Sequence, residues 1–124
     1  MALDTLKKRR EFLWVRGGRR WSAPAFVLEA RPREPAVADA PARFGFTVSK
    51  KVGGAVERNK VRRRLRAIAS ALQPEQTQAG FDYVLIARPS AMERRFADLK
   101  SDLDTALVRV HQAPGQKRRG ARNS

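Results

Sequence analysis

Cysteine is absent from this sequence, and histidine occurs once, at His111. A disulfide scaffold, a thiolate zinc site and a cysteine nucleophile are excluded together, and a multi-histidine metal cluster with them. Acid is scarce too: 12 Asp and Glu stand against 27 Lys and Arg, for a formal charge of +15. Apolar runs are only a few residues long, too short to span a bilayer, so no membrane partner is expected. The first ten residues carry charges with no apolar segment behind them, so no secretory signal is read and a cytoplasmic location is expected. At 124 residues, 42% apolar and 31% charged, the chain has room for one domain with a modest core. A positive surplus this large points to a polyanion, nucleic acid first.

The charge is unevenly placed. Residues 1–72 hold 18 basic and 6 acidic side chains, whereas residues 73–112 hold 5 and 6. The last twelve residues, from Ala113, add Lys117, Arg118, Arg119 and Arg122 with no acid, and read as a disordered basic tail. The densest stretch runs from Lys50 to Arg66, with eight basic residues against Glu57 alone. A surface charged only for solubility would interleave the signs.

Apolar spacing sets out the elements. Leu6 to Val15 reads as a short helix ended by Gly17-Gly18. Phe26-Val27-Leu28 reads as a strand, closed by a Pro-rich surface loop over 31–42 that carries Pro32, Pro35 and Pro41. Arg43 to Lys50 alternates, with Phe44, Phe46 and Val48 on one face and Gly45, Thr47 and Ser49 on the other. Ala55 to Leu72 is the strongest helix, and Phe81 to Ala87 reads as a strand buried on both faces. Ser90 with Glu93 reads as a capping box opening the last helix, whose stripe includes Met92, Phe96, Leu99, Leu103, Leu107 and Val110. The order α-β-β-α-β-α makes residues 1–112 a single two-layer α+β domain.

The 55–72 helix carries the chemistry. At 100° per residue from Val61, Leu65, Ile68 and Leu72 fall at about 40°, 340° and 20°, a core stripe. Arg62, Arg66, Asn59 and Arg63 fall at about 100°, 140°, 160° and 200°, a contiguous basic face. Like charges this close weaken an isolated helix, a cost that phosphates on the face would relieve. Arginine forks bridge phosphate oxygens, and Asn59 adds a donor and an acceptor for sugar or base edges. Lys50 and Lys51 lead through Gly53-Gly54 to the helix start, whose free N–H groups attract anions.

The run from Phe44 to Arg66 (FGFTVSKKVGGAVERNKVRRRLR) resembles the signature of the bacterial ribonuclease P protein component. In that family a strand ending in Ser-Lys-Lys enters a helix bearing Arg-Asn-Arg; here the trio is Arg58-Asn59-Lys60, followed by Val61, Arg62 and Arg63. Phe12-x-x-Val15, the first strand, the 83–88 strand and the last helix fall in the family's order. The resemblance implies the protein subunit of an endonuclease whose catalytic component is RNA and which removes the 5′ leader of precursor transfer RNA. It implies that Lys50, Lys51, Arg58, Asn59, Lys60, Arg62, Arg63 and Arg66 meet the catalytic RNA. Phe12 and Val15, with Phe46 or Val48 from the sheet, would line a cleft for the leader. A left-handed β-α-β crossover and a monomeric protein are expected with it. Two positions depart from the pattern: Lys60 replaces an arginine, and Arg16 stands where a second cleft aromatic is common. Trp14 and Trp21 are the alternative sources of a stacking face. No catalytic side chain is expected in the protein, and Mg²⁺ would be held mainly by the partner RNA. A ribosomal or assembly-type RNA-binding protein remains the alternative, ahead of a DNA-binding regulator or a protein-only nuclease.

Overall fold

The computed structural model describes residues 3–33 and 37–112. Its strands are β1 (Asp4–Thr5), β2 (Arg19–Ser22), β3 (Phe26–Pro32), β4 (Arg43–Thr47) and β5 (Phe81–Ala87). Its helices are α1 (Arg9–Arg16), α2 (Ala55–Ser70) and α3 (Phe96–Val110). One sheet holds the strands in the order β1-β4-β5-β3-β2. β1, β4 and β5 are mutually parallel, so α2 is the crossover between neighbouring β4 and β5; β3 and β2 add antiparallel.

The sheet has two differently covered faces. Phe44, Phe26, Leu28, Ala30, Phe81, Tyr83 and Leu85 point toward α2 and α3 and form the main core. Val61, Leu65 and Ile68 meet them from α2, which ends at Ser70 rather than at the expected Leu72, and Leu72 follows from just past its cap; all four are no more than 1% exposed. Leu99, Leu103, Leu107 and Val110 meet them from α3. The opposite face carries α1: Leu6 and Val15 pack on Val84, with Phe12, Trp14 and Ile86 around them. The expected α+β class is present, with α1 adding a partial layer of its own.

Several boundaries differ from expectation, each for a physical reason. The first helix begins at Arg9 rather than Leu6, because Leu6 N–H donates to Phe44 O and the segment still follows the sheet edge. Glu11 then fixes the start, its Oε1 accepting the N–H groups of Lys7 and Lys8 at 2.8 and 2.9 Å. β1 and β2 are additional strands, only two and four residues long. β3 continues through Arg31 and Pro32, residues expected in the loop. A proline is tolerated at a strand end, where no further ladder bond needs its missing N–H. Residues 34–36 and the tail from 113 lie outside the described residues.

The last helix starts at Phe96, not at Ser90. Ser90 Oγ donates to Pro24 O at 3.1 Å and so does not cap a helix. Pro89–Met92 forms a 3-10 turn that buries Ala91 completely. Arg94 then pairs with Asp102 through two bonds of 3.0 and 3.1 Å, leading the chain into α3.

Candidate nucleic-acid interface

The residues of the basic run are presented by α2 and the turn before it. Val52 N–H donates to Ser49 O and Gly53 N–H to Lys50 O, folding 49–53 into a tight turn that leaves Lys50 and Lys51 exposed. Gly53 sits at φ +155°, a backbone conformation that side-chain-bearing residues rarely adopt. Gly54 is the helix N-cap and has no side chain with which to satisfy the first N–H groups. The start of α2 therefore has no side-chain cap, and the Glu57 side chain of its first turn lies against Gly53 and Gly54.

Asn59, Lys60, Arg62, Arg63 and Arg66 are exposed on α2, and Arg58 is half-buried. Their internal bonds are few. Arg62 Nη1 donates to Asn59 Oδ1 at 3.1 Å, and Arg58 Nε to Gly54 O at 3.4 Å. Among the described residues none of these cations, nor Lys50 or Lys51, is in a salt bridge. The salt bridges that do form lie off this face. Asp82 is held by Arg33 and Arg43, Glu11 by Arg43, and Asp102 by Arg94. Arg64, next to the core stripe, donates to Arg94 O and serves packing of α2 on the 89–95 segment. The acids that are paired take their partners from off the face, and the exposed α2 cations are left without an ion pair among the described residues.

On the other side of the sheet, the register defines the second predicted site. Gly45, Val84, Glu29 and Arg20 form one row across the strands, and Thr47, Ile86, Val27 and Ser22 the next. Phe12 lies over Gly45, where an added Cβ would come within 2.5 Å of the ring. α1 therefore covers the first row; in the second, Thr47 and Ser22 are exposed, Ile86 is half-buried beside the α1 cluster and Val27 is buried. That second row lies at the end of β4 from which the Lys50-Lys51 turn and α2 depart.

This arrangement corrects part of the predicted cleft. Phe46 and Val48 pack with the main core under α2 and α3, on the face opposite Phe12. Alternation along β4 makes this unavoidable: once Phe44 is core, Phe46 and Val48 follow it, and Gly45 and Thr47 face α1. Val15 is completely buried, so it seats α1 rather than offering surface. Trp14 donates Nε1–H to Pro32 O at 2.8 Å on the far flank of α1. Trp21 packs against the main core, with Arg109 5.7 Å from its ring. Neither indole is in the cleft. Glu29, missed in the sequence reading, lies in the covered row beneath α1: 3% exposed, with Arg20 at 3.7 Å. Burial pushes its carboxyl above the usual range, against the opposing pull of Arg20 and Arg16. An acid inside a basic strand pair was the available signal.

The fold and the open face together define a small basic α+β domain suited to meeting a polyanion. The model of the family described as Ribonuclease P matches residues 2–111, and the chain belongs to the ribonuclease P protein component family. It is similar to the ribonuclease P protein component of Paramagnetospirillum magneticum, 48% identical over 110 residues, which span 87% of this chain and 83% of that relative. The corresponding protein of Ruegeria pomeroyi is 44% identical over 88% of this chain and 87% of its own length. Among solved structures, the RNase P protein from Thermotoga maritima superposes with a TM-score of 0.72 at 28% identity, covering 87% of this chain and 98% of that one. The Staphylococcus aureus RNase P protein gives 0.72 at 25% identity, over 89% and 97%. Membership supplies the coarse role, a protein component of the transfer-RNA-processing ribonuclease P. No helix among the described residues is long and apolar enough to cross a membrane.

Proposed function

We propose that this chain is the protein subunit that docks on the catalytic RNA of ribonuclease P and holds the 5′ leader of precursor transfer RNA. The observation that carries the reading is the basic face of α2: Lys50, Lys51, Arg58, Lys60, Arg62, Arg63 and Arg66 stand together on one helix and the turn before it, with no ion-pair partner among the described residues. Lys50, Lys51, Arg58, Asn59, Lys60, Arg62, Arg63 and Arg66 neutralise phosphates of the catalytic RNA. The leader enters the cleft beside Phe12, over Thr47, Ile86 and Val27, at the sheet end adjoining the α2 N-terminus. One strand can therefore leave the catalytic RNA and enter the cleft without crossing the sheet.

The protein's contribution is electrostatic and positional. Screening phosphate repulsion between two RNAs lowers the free energy of their association, and the gain falls steeply with salt. Mg²⁺ is assigned to RNA phosphates. The buried carboxylates of this chain do not suit that ion, since Asp82 is enclosed by Arg33 and Arg43, and Glu29 faces Arg20. The test is reconstitution: at low Mg²⁺ the chain should restore leader removal to a ribonuclease P RNA that is inactive alone. A ribosomal or assembly-type RNA binder would bind RNA without restoring cleavage, and that result would overturn the reading.

A further inference from the structure

A second groove lies on the other flank of α1, at the opposite end of the sheet from the cleft. Arg43, Asp82 and Arg31 form the row at that end, and Arg43 precedes Thr47 by four residues along β4, roughly 13 Å. Arg10, Glu11 and Trp14 line the groove from α1, Arg43 and Asp82 from the sheet, and Arg33 and Val37 from the connection between β3 and β4. Its volume is about 460 Å³. That is within the ordinary range for a small-ligand site and large enough for one nucleotide.

The wall is a fixed set of ion pairs. Asp82 accepts from Arg43 Nη2 at 2.8 Å, Arg43 Nε at 2.9 Å and Arg33 Nε at 3.1 Å. Arg43 Nη1 reaches Glu11 Oε2 at 3.1 Å, and Arg33 also donates to Pro41 O. These arginines and acids balance, so the lining retains one positive charge, that of Arg10. Arg10 is exposed and has no partner among the described residues. Trp14 is anchored by its Nε1–H on Pro32 O, and Arg31 stacks on the ring at 3.5 Å while donating to Trp14 O. Trp14, half-buried against the cluster of Leu6, Val15 and Val84, lines the groove with the part of its ring that Arg31 leaves open.

A rigid, half-buried indole beside a free guanidinium selects a ligand that carries a planar ring and an anion a few ångströms apart. We propose that this groove is a second nucleotide site, which takes one unit of single-stranded RNA with its base on Trp14 and its phosphate on Arg10. Arg31 behind the ring draws electron density and preorganises the stack, since the indole need not reorient on binding. The inference rests on the RNA-binding reading for the source of the strand, which is either an extended leader or a single-stranded segment of the catalytic RNA.

The test separates the site from that reading. In a Trp21→Phe variant of the full chain, Trp14 is the one remaining indole. Adenosine 5′-monophosphate should quench its emission saturably, and inorganic phosphate should not. Arg10→Gln should weaken the nucleotide about tenfold, and Trp14→Leu should do the same by equilibrium dialysis, as loss of a base–aromatic stack requires. Arg62→Ala with Arg66→Ala should leave the quenching unchanged while weakening the RNA complex. A photo-cross-linking residue at position 14 of the reconstituted holoenzyme then identifies the strand, by attachment to the leader or to the catalytic RNA. Absence of saturable quenching, or quenching indifferent to Arg10→Gln, overturns the site and leaves the proposed function standing. Quenching in a chain that fails reconstitution would overturn the function and leave the site.

Discussion

Gly45 and His111 show how single residues set conditions that the rest of the chain obeys. Gly45 is where α1 touches down: a Cβ there would stand 2.5 and 2.7 Å from Phe12 Cε2 and Cζ. Gly45→Ala should therefore lift Phe12 and cost about 1–3 kcal/mol in thermal or denaturant unfolding, as overpacking does. An unchanged melting temperature would show that Phe12 yields freely. His111 closes the other face. Tyr83 Oη accepts Gln78 N–H at 2.9 Å and meets His111 Nε2 at 2.7 Å. Burial raises the Tyr83 phenol to about 12, so its proton stays available to the imidazole. Burial, and then the nearby Arg19, hold the His111 pKa below its ordinary value. The unfolded chain thus binds a proton on His111 at a pH where the folded chain does not. Stability should fall as pH drops through about 6.5 and level off once the folded His111 is also protonated. His111→Gln should flatten that part of the profile in denaturant melts, and an unaltered slope would assign the pH dependence to other groups.

Among the elements, α2 was the most legible in the sequence, because a 3.6-residue period and a break at Gly53-Gly54 are both local signals. Its stripe of Val61, Leu65 and Ile68 is buried as spaced, and Leu72 is buried just past the helix end. β4 was legible as a strand, but the family resemblance drew Phe46 and Val48 toward a cleft on the face opposite to the one they pack into. Knowing which face Phe12 covers requires the placement of α1, a non-local fact. The starts of α1 and α3 were missed because Leu6 and Ser90 are engaged by distant partners, Phe44 O and Pro24 O. β1 and β2 are too short for alternation to register. The division of α2 into stripe and face leads to an expectation at this scale. Arg62→Ala with Arg66→Ala removes two exposed, unpaired charges and relieves like-charge repulsion, so the melting temperature should change little. A large loss of stability would show that these side chains support the helix rather than await a partner.

For the whole molecule, the charge of +15 is concentrated by the fold. In residues 73–112 six acids balance five bases, with pairs such as Arg94–Asp102 and Lys100–Asp104, while the first 72 residues present most of their excess on α2 and the turn before it. Self-repulsion of that excess opposes the compact state. At low ionic strength the free chain should be incompletely folded, and sulfate or phosphate should raise its helical circular dichroism by binding the native face. A spectrum indifferent to those anions would show that the face carries no folding cost.

The central claim is that the α2 face docks the catalytic RNA, and the most direct measurement is the affinity for ribonuclease P RNA across a series of salt concentrations. Wild type should lose affinity steeply with salt. Arg62→Ala with Arg66→Ala should bind more weakly at any fixed salt, with a log–log slope reduced by roughly two, one for each phosphate contact removed. An unchanged affinity and slope in a variant of unchanged melting temperature would place the docking surface elsewhere on the protein.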